Sequence, residues 1–124
     1  VKEMDEAKEF ENTVRRFLSE LWGLQLEERT VHLTATAKKK FDLVSQNQKY
    51  VGDAKYLKNI KTPAAKWSGI AEYVWLLEKV NTDHKFLVFG KDKEVAARWL
   101  NRYGSLISDI KFYFFDGTTL EKLN

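Results

Sequence analysis

Apolar residues open the chain at Met4, Ala7, Phe10, Val14, Phe17, Leu18, Leu21 and Trp22. Steps of three and four put them on one face of a helix over 4–22, with Gly23 as its stop. The period then falls to two. Val31, Leu33, Ala35 and Ala37 alternate with His32, Thr34 and Thr36, which predicts a strand over 30–37. KFDLVS (40–45) and YVGDAKY (50–56) predict two further strands, joined as a hairpin by the polar QNQK.

Pro63 starts the second half. With Thr62 as its cap, it predicts a helix from 63 to about 79, because proline's missing N–H has no helical partner in a first turn. Ile70, Tyr73, Val74 and Leu77 give this helix one apolar face, while Trp67, Ala71, Trp75 and Leu76 make it apolar on more than one side. HKFLVFG (84–90) is a continuous apolar run, as expected of a buried central strand. DKEVAARWLNRYG (92–104) reads as a helix capped by Asp92 and stopped by Gly104, and IKFYFF (110–115) as the last strand.

The order is therefore helix, three-strand meander, helix, strand, helix, strand. A helical crossover between the hairpin and the fourth strand permits a parallel pair there. An α/β sandwich with a mixed five-stranded sheet is expected, in one domain with no linker, repeat or low-complexity tract.

Composition narrows the chemistry. Of 124 residues, 44% are hydrophobic, and eight Phe, five Tyr and four Trp supply a core without staples. The absence of cysteine excludes disulfide scaffolds, thiolate metal sites and cysteine nucleophiles. His32 and His84 stand too far apart for ligand spacing, and the six glycines stand singly, so neither a histidine zinc site nor a phosphate-cradling loop can be built. No apolar run approaches the roughly 18 residues of a membrane span. Without a charged-then-apolar leader, a cytoplasmic protein is expected.

The net charge of +3 matters less than its distribution. Residues 1–28 carry four basic and eight acidic side chains, whereas residues 38–66 carry eight lysines against only Asp42 and Asp53. A solvated face is the bland reading of such a run. An anionic partner is the sharper one, since clustered ammonium groups attract phosphates.

The placement of the two aspartates favours the sharper reading. Asp53 and Lys55 are two apart on a strand and share a face, with Ala54 on the other. A four-residue hairpin loop pairs Ser45 with Tyr50 and sets Asp42 opposite Asp53, at a Cβ separation of about 4.5–5.5 Å. Carboxylates that close repel each other, and a cation between or beside them relieves the cost. Magnesium suits, with its hard oxygen ligands, and the carbonyl of Ala54 is a further candidate ligand. Lys55 would hold or deprotonate a water carried by the ion. On the first helix Glu11 lies on the shoulder of the apolar face and is the acid best placed to look along the sheet toward a metal. An Asp-x-Lys triplet alone reads as a surface salt bridge; the conjunction with Asp42, Glu11 and the lysine run gives it a function.

The run FDLVSQNQKYVGDAKY (41–56) resembles the core motif of the PD-(D/E)XK nuclease superfamily, with its restriction-endonuclease-like three-layer sandwich. FENTVRRFL (10–18) is similar to the opening helix of the archaeal Holliday-junction resolvases. The resemblance implies that Asp42 is the first motif acid, Asp53 the second, Lys55 the motif lysine and Glu11 the helix acid. Phe41 replaces the proline that often precedes the first acid. Lys66 would match a family Gln or Lys that contacts phosphate or water. The function implied is a magnesium-dependent (or manganese-dependent) endonuclease acting on DNA, working as a homodimer with one site per strand. An inactive nucleic-acid- or protein-binding module on the same fold, or a nuclease for structured RNA, are the alternatives.

Lys38, Lys39 and Lys40, leading into Asp42, and Lys58 and Lys61, just beyond Lys55, are candidate phosphate contacts. Alternation gives Lys40, and not Lys39, the face of Asp42. Trp67 and Trp75 read as core rather than as base-stacking platforms, and His84 beside Asp83 as structural.

Overall fold

The computed structural model describes the backbone of residues 2–57 and 63–124, and the side chains of 6–57 and 69–124. Helix α1 (Lys2–Trp22) leads into strands β1 (Glu27–His32), β2 (Lys38–Val44) and β3 (Tyr50–Tyr56). Helix α2 (Pro63–Glu78), β4 (His84–Gly90), α3 (Lys93–Tyr103), β5 (Ile110–Phe115) and β6 (Leu120–Lys122) complete the order. The strands form one mixed sheet in sequence order. Pairing is antiparallel from β1 to β3, parallel from β3 to β5, and antiparallel again at β6.

Each helix sits where its apolar face sends it. Val14 and Leu18 of α1 pack with Leu43, Ala54, Phe86, Val88 and Phe115 on one side of the sheet. Ile70, Val74 and Leu77 of α2 join Val95, Ala96 and Trp99 of α3 over Phe41, Val51, Leu87, Phe89 and Phe112 on the other. The two crossovers that contain α2 and α3 advance across the sheet in the same direction, so they cover the same face. The three-layer α/β arrangement and the parallel β3–β4 pair are as expected.

Local signals explain most boundaries. Gly23, at φ +65°, ends α1 in the left-handed conformation that glycine adopts without penalty. The Asp92 carboxylate accepts the Val95 N–H at 3.3 Å and caps α3. Thr62, the expected cap of α2, lies outside the described residues.

Three features depart from expectation. The first strand ends at His32 rather than running over 30–37. Beyond it the N–H groups of Leu33 and Thr34 both donate to the Ala37 carbonyl, and the Thr34 hydroxyl accepts the N–H groups of Thr36 and Ala37. Alanine alternation offers little area to bury, and the threonine hydroxyl supplies the backbone with a turn instead. A sixth strand, β6, follows a turn in which Asp116 accepts the N–H groups of Thr118 and Thr119. Three residues with no apolar alternation carry no strand signal. Finally, the second apolar side of α2 is not core throughout, because Trp75 is 56% exposed.

Candidate metal centre

The site begins with the hairpin of β2 and β3. Leu43 pairs with Gly52 and Val44 with Val51, the register expected from a four-residue loop. One step further, at Asp42 and Asp53, side chains take over the ladder. The Asp42 N–H donates to Oδ1 of Asp53 at 2.9 Å, and the Ala54 N–H donates to Oδ2 of Asp42 at 3.1 Å. Each acid thus satisfies a backbone donor of the opposite strand, which lets the strands part without orphaning buried N–H groups.

A bulge on the other side of β2 aims Asp42. Glu27 pairs with Val44 but Arg29 with Phe41, so the single residue Glu28 faces both Asp42 and Leu43. Leu43 packs against α1, and the Asp42 carboxylate reaches the same side. Arg15 of α1 fixes the bulge by donating from Nε and Nη2 to the Asp42 carbonyl at 3.2 and 3.0 Å. Its Nη1 donates to Oδ1 of Asn12 at 2.7 Å, which orients the guanidinium.

Three carboxylates converge there. Oxygens of Glu11, Glu28 and Asp42 all lie within 4.8 Å of one another. Among the described residues this is the only such group of acids or histidines. Burial, and next the charge of Asp42, raise the pKa of Glu11 above the usual carboxylate range. Lys8 lies 3.7 Å from Glu11 and 3.8 Å from Glu28, and Lys40 lies 3.4 Å from Glu28. Lys40 does share the side of Asp42, as alternation predicts.

Asp53 faces the other way, toward α2. It is 1% exposed, and its Oδ2 lies 3.3 Å from Nζ of Lys39. Burial first, and the nearby Asp42 second, push its pKa up to about 7 despite that lysine. Nζ of Lys39 lies 5.2 Å, and Nζ of Lys55 4.8 Å, from the centre of the Tyr73 ring. Tyr73's own pKa is raised by burial and then by Asp53. Glu11, Asp42, Asp53, Ala54, Lys39, Lys40 and Lys55 line one cleft of about 280 Å3 at the parting of the strands.

The expectation that Asp42 and Asp53 converge on one cation is therefore not met: the bulge separates them, and the expected residues fall into two groups. Glu11 and Asp42 stand in the acidic cluster, while Asp53 and Lys55 stand beside it with Tyr73 and Lys39. Lys38 is exposed at the start of β2. Lys58 and Lys61 lie outside the described residues, as does the side chain of Lys66.

The donor set fits a small divalent cation. Magnesium holds oxygens at about 2.1 Å, so neighbouring ligand oxygens stand roughly 3–4 Å apart. Three carboxylates within 4.8 Å need only a slight closure. The attraction of each carboxylate to a cation placed between them would outweigh their mutual repulsion and drive that closure.

Sequence reasoning missed Glu28, Arg15 and Tyr73 as site residues. Alternation along β1 places Glu28 on the side of Thr30 and His32, but only the bulge sets it against Asp42. Arg15 and Tyr73 carry no such signal, because only packing of α1 and α2 brings them to β2 and β3. No known family, curated protein or solved structure matches this chain.

Proposed function

We propose that this protein is a divalent-metal-dependent phosphodiester hydrolase, a DNA endonuclease by its resemblance to the PD-(D/E)XK superfamily. The observation that carries the reading is the cluster of Glu11, Glu28 and Asp42, with Asp53 and Lys55 in the cleft that Glu11 and Asp42 line. Acidic oxygens and ammonium groups side by side suit a phosphodiester better than a neutral substrate. A divalent ion held there supplies concentrated positive charge and a more acidic water.

The chain's own groups divide the remaining work. Glu11, Glu28 and Asp42 would hold the cation, with Arg15 fixing the backbone of Asp42. Lys55 lends its ammonium to the phosphoryl oxygens as negative charge develops on them. Asp53, bonded to the Asp42 N–H and to Lys39, would hold the Asp42 backbone and the lysine in place beside the cleft. Lys38 and Lys40 attract the backbone of a nucleic acid, with Lys58, Lys61 and Lys66 as further contacts. A homodimer would present two such sites to a duplex.

A second reading is favoured by one contact. Lys39 already neutralises Asp53, so the cleft also suits a non-catalytic module that binds nucleic acid through its lysines. Incubation of the protein with plasmid, oligonucleotides and RNA, in magnesium, manganese or EDTA, separates the two. The nuclease reading expects cleavage abolished by EDTA and reduced at least a hundredfold in Glu28→Gln, Asp53→Asn and Lys55→Met. Salt-dependent binding without metal-dependent cutting establishes the second reading instead.

A further inference from the structure

Tyr56 lines two cavities. One is the cleft of Asp42, Asp53 and Lys55; the other, of about 540 Å3, lies beyond it between the first half of α1 and the sheet. The larger cavity opens at the carboxyl ends of β3, β4 and β5, which run parallel.

Its floor is aromatic. The Phe10 ring lies 5.3 Å from that of Tyr56 and 6.4 Å from that of Phe115, tilted in both pairs. Gly90 makes room for Phe10, since a Cβ at that position would collide with the ring. Phe10 and Tyr56 are only half-buried and keep part of their surface open. Glu9 and Lys91 stand among the polar residues lining the cavity. Lys39, Lys40 and Lys55 are all on the far side of Tyr56, in the smaller cleft.

Tyr56 therefore stands between a cleft that gathers three lysines beside its acids and a hollow with an aromatic floor, rimmed by Glu6, Glu9, Asp116 and Lys91. A nucleotide joins a phosphate, which suits the lysines, to a flat base, which suits the aromatic floor. We propose that the larger cavity takes one unpaired nucleobase next to the phosphate held in the smaller cleft. The substrate is then a nucleic acid with a single-stranded or flipped-out nucleotide at the cut, not a fully paired duplex. The inference rests on the nuclease reading above and adds the substrate class to it. A volume of 540 Å3 is in the range of sites that take a single small ligand. Aromatic stacking serves every base, strengthening binding roughly tenfold or more per base. The Glu9 carboxylate offers an acceptor for exocyclic amino groups.

Two readouts test this on the intact protein. In calcium buffer, oligonucleotides with 2-aminopurine at successive positions report stacking by loss of fluorescence. Quenching at one position beside the cut is expected, retained in Tyr56→Phe and lost in Tyr56→Leu and in Phe10→Leu. In magnesium, an abasic residue at that position should slow cleavage by the unmodified protein at least tenfold. This arm does not depend on how the variants fold. Uniform fluorescence along the strand, or equal quenching in both leucine variants, overturns the proposal. EDTA-sensitive cleavage that ignores the abasic residue and the pairing state overturns it while leaving the nuclease reading intact. Position-specific quenching without any metal-dependent cleavage does the reverse, supporting the base site and removing the nuclease.

Discussion

Asp42 and Asp53 both bond to the backbone of the opposite strand, but burial separates their chemistry. Asp53 is enclosed on the α2 side, and its raised pKa means that the folded chain holds a proton more tightly than the unfolded one. Stability therefore falls as pH rises from the unfolded value near 4 through the raised value, and the penalty is absent below both. In metal-free buffer, urea midpoints of the native protein should decline between pH 4.5 and 7.5, and those of Asp53→Asn should decline less. Parallel curves for the two proteins would show that Asp53 is not the titrating group. Glu28 makes the complementary point about legibility. Its identity is plain in the sequence, but its meaning depends on a bulge that sets one residue against two. Asp42, Asp53, Lys55 and Glu11 could be named from strand alternation and helical spacing, but the same alternation set Asp42 and Asp53 on one face, whereas the bulge turns Asp42 toward α1 and leaves Asp53 on the α2 side.

At the scale of elements, the β2–β3 hairpin and its neighbour β4 leave the chain least freedom. A Cβ on Gly52 would stand 2.6 Å from the Phe86 carbonyl oxygen of β4, its parallel partner. A backbone oxygen in a central strand cannot swing aside as a side chain can. Gly52→Ala should therefore cost about 1–3 kcal/mol, seen as a lower denaturant midpoint with an unchanged slope. A variant as stable as the parent would mean that β3 and β4 are farther apart than described. The seven elements with strong periodicity, a cap or a starting proline were readable in advance: α1, β2, β3, α2, β4, α3 and β5. The end of β1 and the whole of β6 were not, because both are decided by side chains of Thr34 and Asp116 that bond to local backbone. Such bonds compete with the ladder residue by residue and leave no periodic trace.

Across the whole molecule, the sheet is most protected where it is covered twice. The run from Lys85 to Gly90 in β4 is buried throughout, flanked by parallel partners and lying between α1 on one face and α2 with α3 on the other. β6 is three residues long and largely exposed. Native-state hydrogen exchange should find the slowest amides in β4 and exchange several orders of magnitude faster in β6. Similar protection in both would contradict this layering. The edge of β5 has a second guard, since Asn124 accepts the Phe112 N–H and donates to the Ile110 carbonyl. Among the described residues no helix is long and apolar enough to cross a membrane.

What the amino-acid sequence determined by itself was the three helices and five of the six strands, their order and the hairpin register. These follow from short-range physics: the 3.6 and 2.0 periods, the caps and the length of one loop. It also carried the identity of the acids and of the lysine that pair across that hairpin. Only the tertiary structure decided that Glu28 joins Glu11 and Asp42, that Asp53 turns instead toward Lys39, and that Arg15 braces the bulge. Those outcomes depend on residues far apart in the chain being pressed together by the packing of α1 and α2 on opposite faces, where burial and charge act through space rather than along the backbone.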